Sequence, residues 1–197
     1  VVWGTVAFIA GLFIALQLAN WKLGVEKFYM RVLESELLQQ FAPGIETTHA
    51  EPIIYALRSQ KDEAEIAALE KAVAIAETAL ESLLPRIEIG MSEKQVAALL
   101  TRQLLAGGAD SIAFGPIVAS GPNSASPHAW PTDRQLEDGD LLVIDWGVFV
   151  DNYPSDITRT FAVGQIDDEL KHIYEIVKLA NSAGKQAAKP GASGQEV

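Results

Sequence analysis

Two aspartates eleven residues apart are the strongest candidates for chemistry in this sequence. Asp145 lies in the apolar run VIDWG, where burying a carboxylate is costly unless a cation or a donor faces it. Asp156 follows the pair Asp151-Asn152, which is typical of a tight turn. If the chain reverses at that turn, Asp145 pairs with Thr158, and Asp156 falls on the same face because side chains alternate along a strand. The prediction depends on this register, since a shift of one residue would separate the carboxylates.

Carboxylates that converge repel each other, and the repulsion raises the pKa of one of them unless a cation lies between them. Three interpretations of the aspartate pair are therefore open: a shared metal site, a pair that shares one proton, or two residues that only end strands or cap turns. The apolar surroundings of Asp145 favour the metal. The chain has no cysteine, so the ligands would be carboxylates or histidines, and oxygen ligands suit Mn²⁺, Mg²⁺ or Ca²⁺.

The three histidines of the chain differ in their surroundings. His128 lies between two prolines in the long polar segment 121–134, and loops of this kind often carry function. On position alone, His128 is either a functional residue or an ordinary exposed one. His49 and His172 lie in a predicted connector and on the polar side of a predicted helix, and we assign them no role. Tyr153 is close enough to the turn to reach the carboxylates, although tyrosines near turns are also ordinary packing residues.

Helices and strands alternate around these residues in a way that predicts their positions. Apolar residues at helical spacing predict one face of a helix that starts near Ser59 and Asp62 and contains Ile66, Leu69, Val73, Ala76, Leu80 and Leu83. Ser92 and Gln95 form a capping box for a second helix, which ends at Gly107-Gly108. Segments 30–41 and 167–188 are also predicted helices, and segment 48–58 is a predicted connector. The predicted strands are 114–120, 141–150 and 156–164.

Composition and charge limit the classes of partner. Acidic residues outnumber basic ones 26 to 15, which gives a formal net charge of −11 and argues against nucleic-acid binding. Residues 1–21 carry no charge and are long enough to cross a membrane. We interpret them as a buried helix of a domain, with a membrane span as the alternative.

One family resemblance is specific. Residues 117–164 have the sequence IVASGPNSASPHAWPTDRQLEDGDLLVIDWGVFVDNYPSDITRTFAVG, which resembles the first half of the active-site region of the Xaa-Pro peptidases, aminopeptidase P and prolidase. Segment 57–72 resembles the linker and first helix of their catalytic domain, and segment 90–100 resembles its second helix. Segment 24–30 resembles a strand late in their N-terminal domain. The resemblance implies an α+β fold, with the first half of a pita-bread (creatinase/aminopeptidase-like) catalytic domain in 58–197. The end of an N-terminal α/β domain and a linker would occupy 1–57.

The resemblance also implies roles for single residues. Asp145 would bind one of two divalent metal ions and Asp156 would bridge both. His128 would bind substrate and stabilise the tetrahedral intermediate. Tyr153 and Thr158 would contact the metal ligands without binding the metal ions themselves. The ions would be Mn²⁺, with Co²⁺ or Zn²⁺ as alternatives. The implied reaction is hydrolysis of the peptide bond before proline by a metal-activated water.

The same resemblance implies ligands that this chain does not contain, namely one later histidine and two later glutamates. The chain begins with Val and stops one residue after a capping box at Ser193 and Glu196, so we expect it to be truncated at both ends and inactive alone. The intact protein is expected to be a cytoplasmic homodimer that acts on peptides or dipeptides with proline in second position, or a membrane-anchored protein if residues 1–21 span a bilayer. The alternatives are a creatinase-like hydrolase without metal and a non-catalytic binding protein on the same fold; the presence of both aspartates argues against the creatinase-like enzyme.

Overall fold

The computed structural model of the chain describes residues 21–197, which fall into two compact units. The first unit ends at Asp62, and the second extends over Glu63–Val197. The buried helix or membrane span expected in residues 1–21 lies outside the described residues except for its last one. Among residues 21–197, no helix has both the length and the apolar character needed to cross a bilayer.

Within residues 21–62, the first unit contains two parallel strands and two helices. Strand β1 (Lys22–Val25) pairs with β2 (Glu46–His49), and helix α1 (Val32–Phe41) lies between them in the chain, as predicted for 30–41. Segment 48–58, predicted as a connector into the next domain, contains helix α2 (Glu51–Ser59), which the sequence analysis did not predict. Pro52 occupies the first turn of α2, where a missing N–H removes no helical hydrogen bond.

The second unit carries the candidate site. Its first two α-helices are α3 (Glu63–Leu83) and α4 (Glu93–Ala106). Helix α3 begins three residues later than the predicted cap would require, because Ser59 ends α2 and its hydroxyl donates to the carbonyl of Ala56. The cap of α4 is confirmed, since the hydroxyl of Ser92 accepts from the N–H of Gln95 and the Gln95 side chain accepts from the N–H of Ser92.

Six strands form two antiparallel sheets beside these helices. The strands are β3 (Ser111–Ile112), β4 (Ile117–Ser120), β5 (Leu141–Trp146), β6 (Val148–Val150), β7 (Tyr153–Pro154) and β8 (Ile157–Ala162). One sheet has the order β4-β5-β8, and the other has the order β3-β6-β7. Helices and antiparallel strands in one unit give the α+β fold that the family resemblance implied.

The single strand predicted at 141–150 is divided in the structure. It breaks at Gly147 into β5 and β6, which belong to different sheets. The break occurs where the backbone of Ser155 comes so close that a Cβ on residue 147 would lie 1.9 Å from its carbonyl oxygen. The predicted turn is confirmed, since Asp151 and Asn152 have φ of 50° and 67°, as a two-residue hairpin requires.

The core of the second unit lies between α3, α4 and the strands. Of the predicted apolar face of α3, Ile66 and Val73 are 46% and 37% exposed. Its buried face consists mainly of alanines, namely Ala68, Ala72, Ala76 and Ala79, together with Leu80 and Leu83. The buried indole of Trp146 reaches this face, since its Nε1 donates to the carbonyl of Ala76 at 2.9 Å.

The predicted helix at 167–188 is confirmed as α5 (Asp168–Ala187). The side chain of Asp167 caps it by accepting from the N–H of Leu170 at 2.7 Å. None of its residues is buried among the residues that the structure describes, and Ile173 and Val177 on its predicted apolar side are exposed.

Candidate active site

The backbone pairing of β5 with β8 places the two candidate carboxylates. Asp145 pairs directly with Thr158, which is the register that the sequence predicted. Leu142, Ile144 and Trp146 on β5 point into the core and are buried, so Asp145 points to the opposite face of the sheet, where it is half-buried.

Asp156 reaches the same face from the segment just before β8. The pairing of Val150 with Tyr153 in the second sheet continues the register of β5 and β8, so that Asp156 falls opposite Gly147. It is two residues from Thr158 and exposed. The two carboxylates therefore belong to one face of one hairpin, although the hairpin is divided between two sheets.

A pocket of about 360 Å³ opens over this face. Its lining combines carboxylates, an imidazole and apolar groups, contributed by Phe114, Gly115, Ile117, His128, Ala129, Trp130, Asp145 and Asp156. Ile117 on β4 pairs with Asp145 from the other side, so β5, which carries Asp145, lies between β4 and β8. The pocket thus joins an acidic floor to an apolar wall.

Burial and neighbouring charge make Asp145 unusual. Burial raises the pKa of its carboxyl above the ordinary value, and the negative charge of Asp156 acts in the same direction, while a hydrogen bond with Thr158 and the nearby His128 oppose the rise. Its Oδ1 is buried and has no hydrogen-bond partner among the described residues. An orphaned carboxylate oxygen beside a second carboxylate is what a divalent cation would satisfy, so the donor set fits a metal.

The ligand set within the described part of the chain is incomplete. No group of three or more His, Cys, Asp or Glu side chains there is close enough to hold a metal ion. Asp145 and Asp156 would therefore supply two carboxylates of a larger set.

The other predicted site residues are placed as follows. His128 is exposed and lines the pocket, and Thr158 stands opposite Asp145 in the ladder. Tyr153 is not among the residues that line the pocket, and its hydroxyl donates to Glu65 on α3. Its predicted support of the carboxylates stays a prediction.

Sequence reasoning did not single out Trp130, whose side chain is 77% exposed and forms part of the pocket wall. The signal was present, because an aromatic residue two positions after His128 is out of place in a polar loop. Gly115 lies beneath it, and a Cβ at that position would be 3.2 Å from the indole Cζ3.

Residues 67–197 match the protein-family model described as metallopeptidase family M24. Among curated proteins, the chain is similar to an Xaa-Pro dipeptidase of Pyrococcus horikoshii, with 41% identity over 145 residues. The matched region is 74% of this chain and 41% of the relative. The chain therefore spans about two fifths of the length of that relative.

Solved structures give the same picture. The prolidase from Pyrococcus horikoshii OT3 superposes with a TM-score of 0.84 at 36% identity, over 92% of this chain and 52% of that one. The X-Pro aminopeptidase from Thermotoga maritima MSB8 superposes with a TM-score of 0.82 at 31% identity, over 90% of this chain and 49% of that one.

Proposed function

The chain belongs to metallopeptidase family M24, and on this basis we propose that it forms part of the active site of a metal-dependent peptidase that cleaves the bond before proline. The observation that carries the proposal is the convergence of Asp145 and Asp156 on one face of a hairpin, beside His128, in one pocket. The proline preference comes from the relatives, which include an Xaa-Pro dipeptidase and a prolidase.

Asp145 and Asp156 are the residues that would hold the metal ions, of which we propose two, with Mn²⁺ first and Co²⁺ or Zn²⁺ as alternatives. When bound, such ions act as Lewis acids and lower the pKa of the water that hydrolyses the substrate. The buried Oδ1 of Asp145, which has no hydrogen-bond partner among the described residues, supports this role. Without a cation, nothing offsets the cost of removing that oxygen from water.

The rest of the pocket would bind and orient the substrate. His128 extends from the loop over the carboxylate face, where an imidazole N–H can donate to the carbonyl oxygen of the scissile bond and stabilise the charge that develops on it. Phe114, Ile117 and Trp130 form an apolar wall that suits a pyrrolidine ring or a small side chain and excludes water. The volume of about 360 Å³ is appropriate for a dipeptide-sized ligand.

We further propose that the remaining metal ligands lie outside these 197 residues, which agrees with the incomplete ligand set among the described side chains. Under this proposal the chain alone binds divalent metal weakly and does not hydrolyse peptides. The cytoplasmic location and the homodimer of the intact protein belong to the same proposal and depend on the family resemblance alone.

The proposal is tested by assaying Gly-Pro, Ala-Pro and an Ala-Pro-initiated tripeptide with Mn²⁺. The protein expressed from its full reading frame should hydrolyse at least one of them, and the Asp145→Asn and Asp156→Asn variants should lose that activity. The 197-residue chain should show none. Glu70→Gln, which removes an exposed acidic charge on α3, is the matched control and should leave turnover unchanged. Metal-dependent hydrolysis that survives either aspartate substitution would contradict the proposal.

A further inference from the structure

Glu93, the first residue of α4, is fully buried and has no part in the proposed hydrolysis. Its Oε1 accepts from the N–H and the hydroxyl of Ser120 at 2.7 and 2.8 Å. Its Oε2 accepts from the N–H and the hydroxyl of Thr132 at 2.9 and 2.6 Å. The side-chain amide of Asn123 donates to both oxygens, at 3.1 and 3.2 Å. One carboxylate is thus saturated by three residues.

These three partners lie at the two ends of the segment that carries His128 and Trp130, residues 121–134, which we name the histidine loop. Ser120 is the last residue of β4, just before the loop, and Asn123 lies in its first turn. Thr132 lies near its end. The carboxylate of Glu93 therefore closes the histidine loop at its base.

Backbone contacts reinforce the closure. The N–H of Glu93 donates to the carbonyl of Arg134 at 3.0 Å, and the N–H of Lys94 donates to the carbonyl of Thr132 at 3.1 Å. Arg134 also donates to the hydroxyl of Ser120 at 2.8 Å and forms two hydrogen bonds to the buried carboxylate of Asp140, at 2.6 and 2.9 Å. The base of the loop is therefore a connected polar network.

A buried charge is an expensive way to hold a fold together, because well-packed apolar residues would stabilise the same position at lower cost. Burial alone would raise the pKa of Glu93, but the hydrogen bonds from Thr132 and Ser120 lower it to about 2, so the group is ionised at neutral pH. The charge instead links the two ends of the loop, because its carboxylate accepts hydrogen bonds from Ser120 and Asn123 at one end and from Thr132 at the other.

We propose that Glu93 is a positioning residue of the candidate active site, which acts through the histidine loop to hold His128 and Trp130 over the face that carries Asp145 and Asp156. The inference depends on the proposed function only for what the pocket binds. A residue with a purely structural role would support the core of the second unit as a whole, whereas a positioning residue controls the loop separately from the core.

Glu93→Gln separates these roles, because the amide keeps the shape but turns an NH₂ group toward donors that need an acceptor. In the chain labelled with 5-fluorotryptophan, the fluorine resonance of Trp130, assigned with Trp130→Phe, should shift or broaden. The resonance of Trp146, which is buried in the core, should stay in place. Amide exchange in 121–132 should accelerate about tenfold or more, as expected for local opening. Glu81→Gln, an exposed change of the same charge, is the control.

Two results would overturn the inference. In the first, neither the fluorine resonance of Trp130 nor the amide exchange rate of the loop changes. In the second, the resonances of Trp130 and Trp146 change equally. If Glu93→Gln fails to fold by circular dichroism, Thr132→Val decides by the same criteria, since it removes one hydroxyl donor and keeps the backbone N–H. Its expected acceleration of loop exchange is about threefold, consistent with the loss of one hydrogen bond. Mn²⁺ binding by the aspartate pair is measured separately, so failure of the proposed function leaves the loop result interpretable.

Discussion

The carbonyl oxygen of Ser155 occupies the space that a side chain on Gly147 would need. A Cβ at position 147 would lie 1.9 Å from that oxygen and 3.1 Å from the ring of Phe114. The N–H of Ser155 also donates to the carbonyl of Val148, and the Ser155 hydroxyl accepts from the N–H of Val148, so the neighbouring backbone cannot withdraw freely. The hairpin that carries both aspartates therefore requires a residue without a side chain at position 147.

Gly147→Ala should destabilise the second unit by about 3 kcal/mol or more, because the clash is with backbone that has no alternative position. Urea unfolding followed by tryptophan fluorescence measures the loss. Gly184→Ala is the matched control, since nothing lies within 4 Å of a Cβ there, and alanine in a helix interior should stabilise by up to about 1 kcal/mol. Equal stability of the two variants would contradict the close approach.

Asp145→Asn should raise the melting temperature of the metal-free chain at pH 7. The folded-state pKa of Asp145 is raised, so the ionised carboxylate is disfavoured in the folded state, and stability falls as pH rises through that pKa. The asparagine variant cannot ionise and does not lose this stability. Its higher melting temperature should therefore disappear near pH 3, below the unfolded-state pKa, where Asp145 is protonated in both states. Thermal melts in EDTA at both pH values measure the effect. An aspartate that stabilises the metal-free fold at pH 7 would contradict the structure.

Glu93 should make the chain sensitive to acid. Its folded-state pKa of about 2 lies below the ordinary glutamate value of 4.5, so the stability it contributes is complete above about pH 5 and is lost as pH falls toward 2. Glu93→Gln should lower the unfolding free energy at pH 7 by about 1–3 kcal/mol, since it leaves buried donors unsatisfied. The variant's unfolding free energy should also change less between pH 5 and pH 3 than that of the unsubstituted chain, as measured by urea unfolding at each pH.

Ala76→Leu should destabilise the second unit by about 1–3 kcal/mol through overpacking against Trp146. Position 76 is fully buried, and its carbonyl accepts the indole hydrogen bond. Ala74→Leu, on the exposed side of the same helix, should change stability by less than about 0.5 kcal/mol. Chemical unfolding of both variants checks the prediction, which fails if the two substitutions have equal cost.

The sequence was sufficient for the features that depend on local pattern. The turn at Asp151 and Asn152 and the alternation along the strands predicted the pairing of Asp145 with Thr158, and the Ser92 capping box predicted the start of α4. The family resemblance supplied the fold class, which the structure confirms.

Features that depend on what packs against a segment were not predicted. The buried position of Ala76 on α3 depends on contact with Trp146, which lies 70 residues away in the chain. The break at Gly147 follows from the backbone of Ser155, and hydrophobic runs such as LLVIDWGVFV do not reveal it. Glu93 looks like an ordinary first-turn glutamate until its partners 27 and 39 residues later are known.

That difference in sequence separation has a consequence for the order of folding. The aspartates are joined by a short hairpin, whose closure costs little chain entropy, whereas the histidine loop is fixed only when Glu93 meets Ser120 and Thr132, 27 and 39 residues further along. We expect the paired carboxylates to form early in refolding and the histidine to join them later. A refolding chain would thus acquire its two paired carboxylates before it acquires the histidine that lies over them.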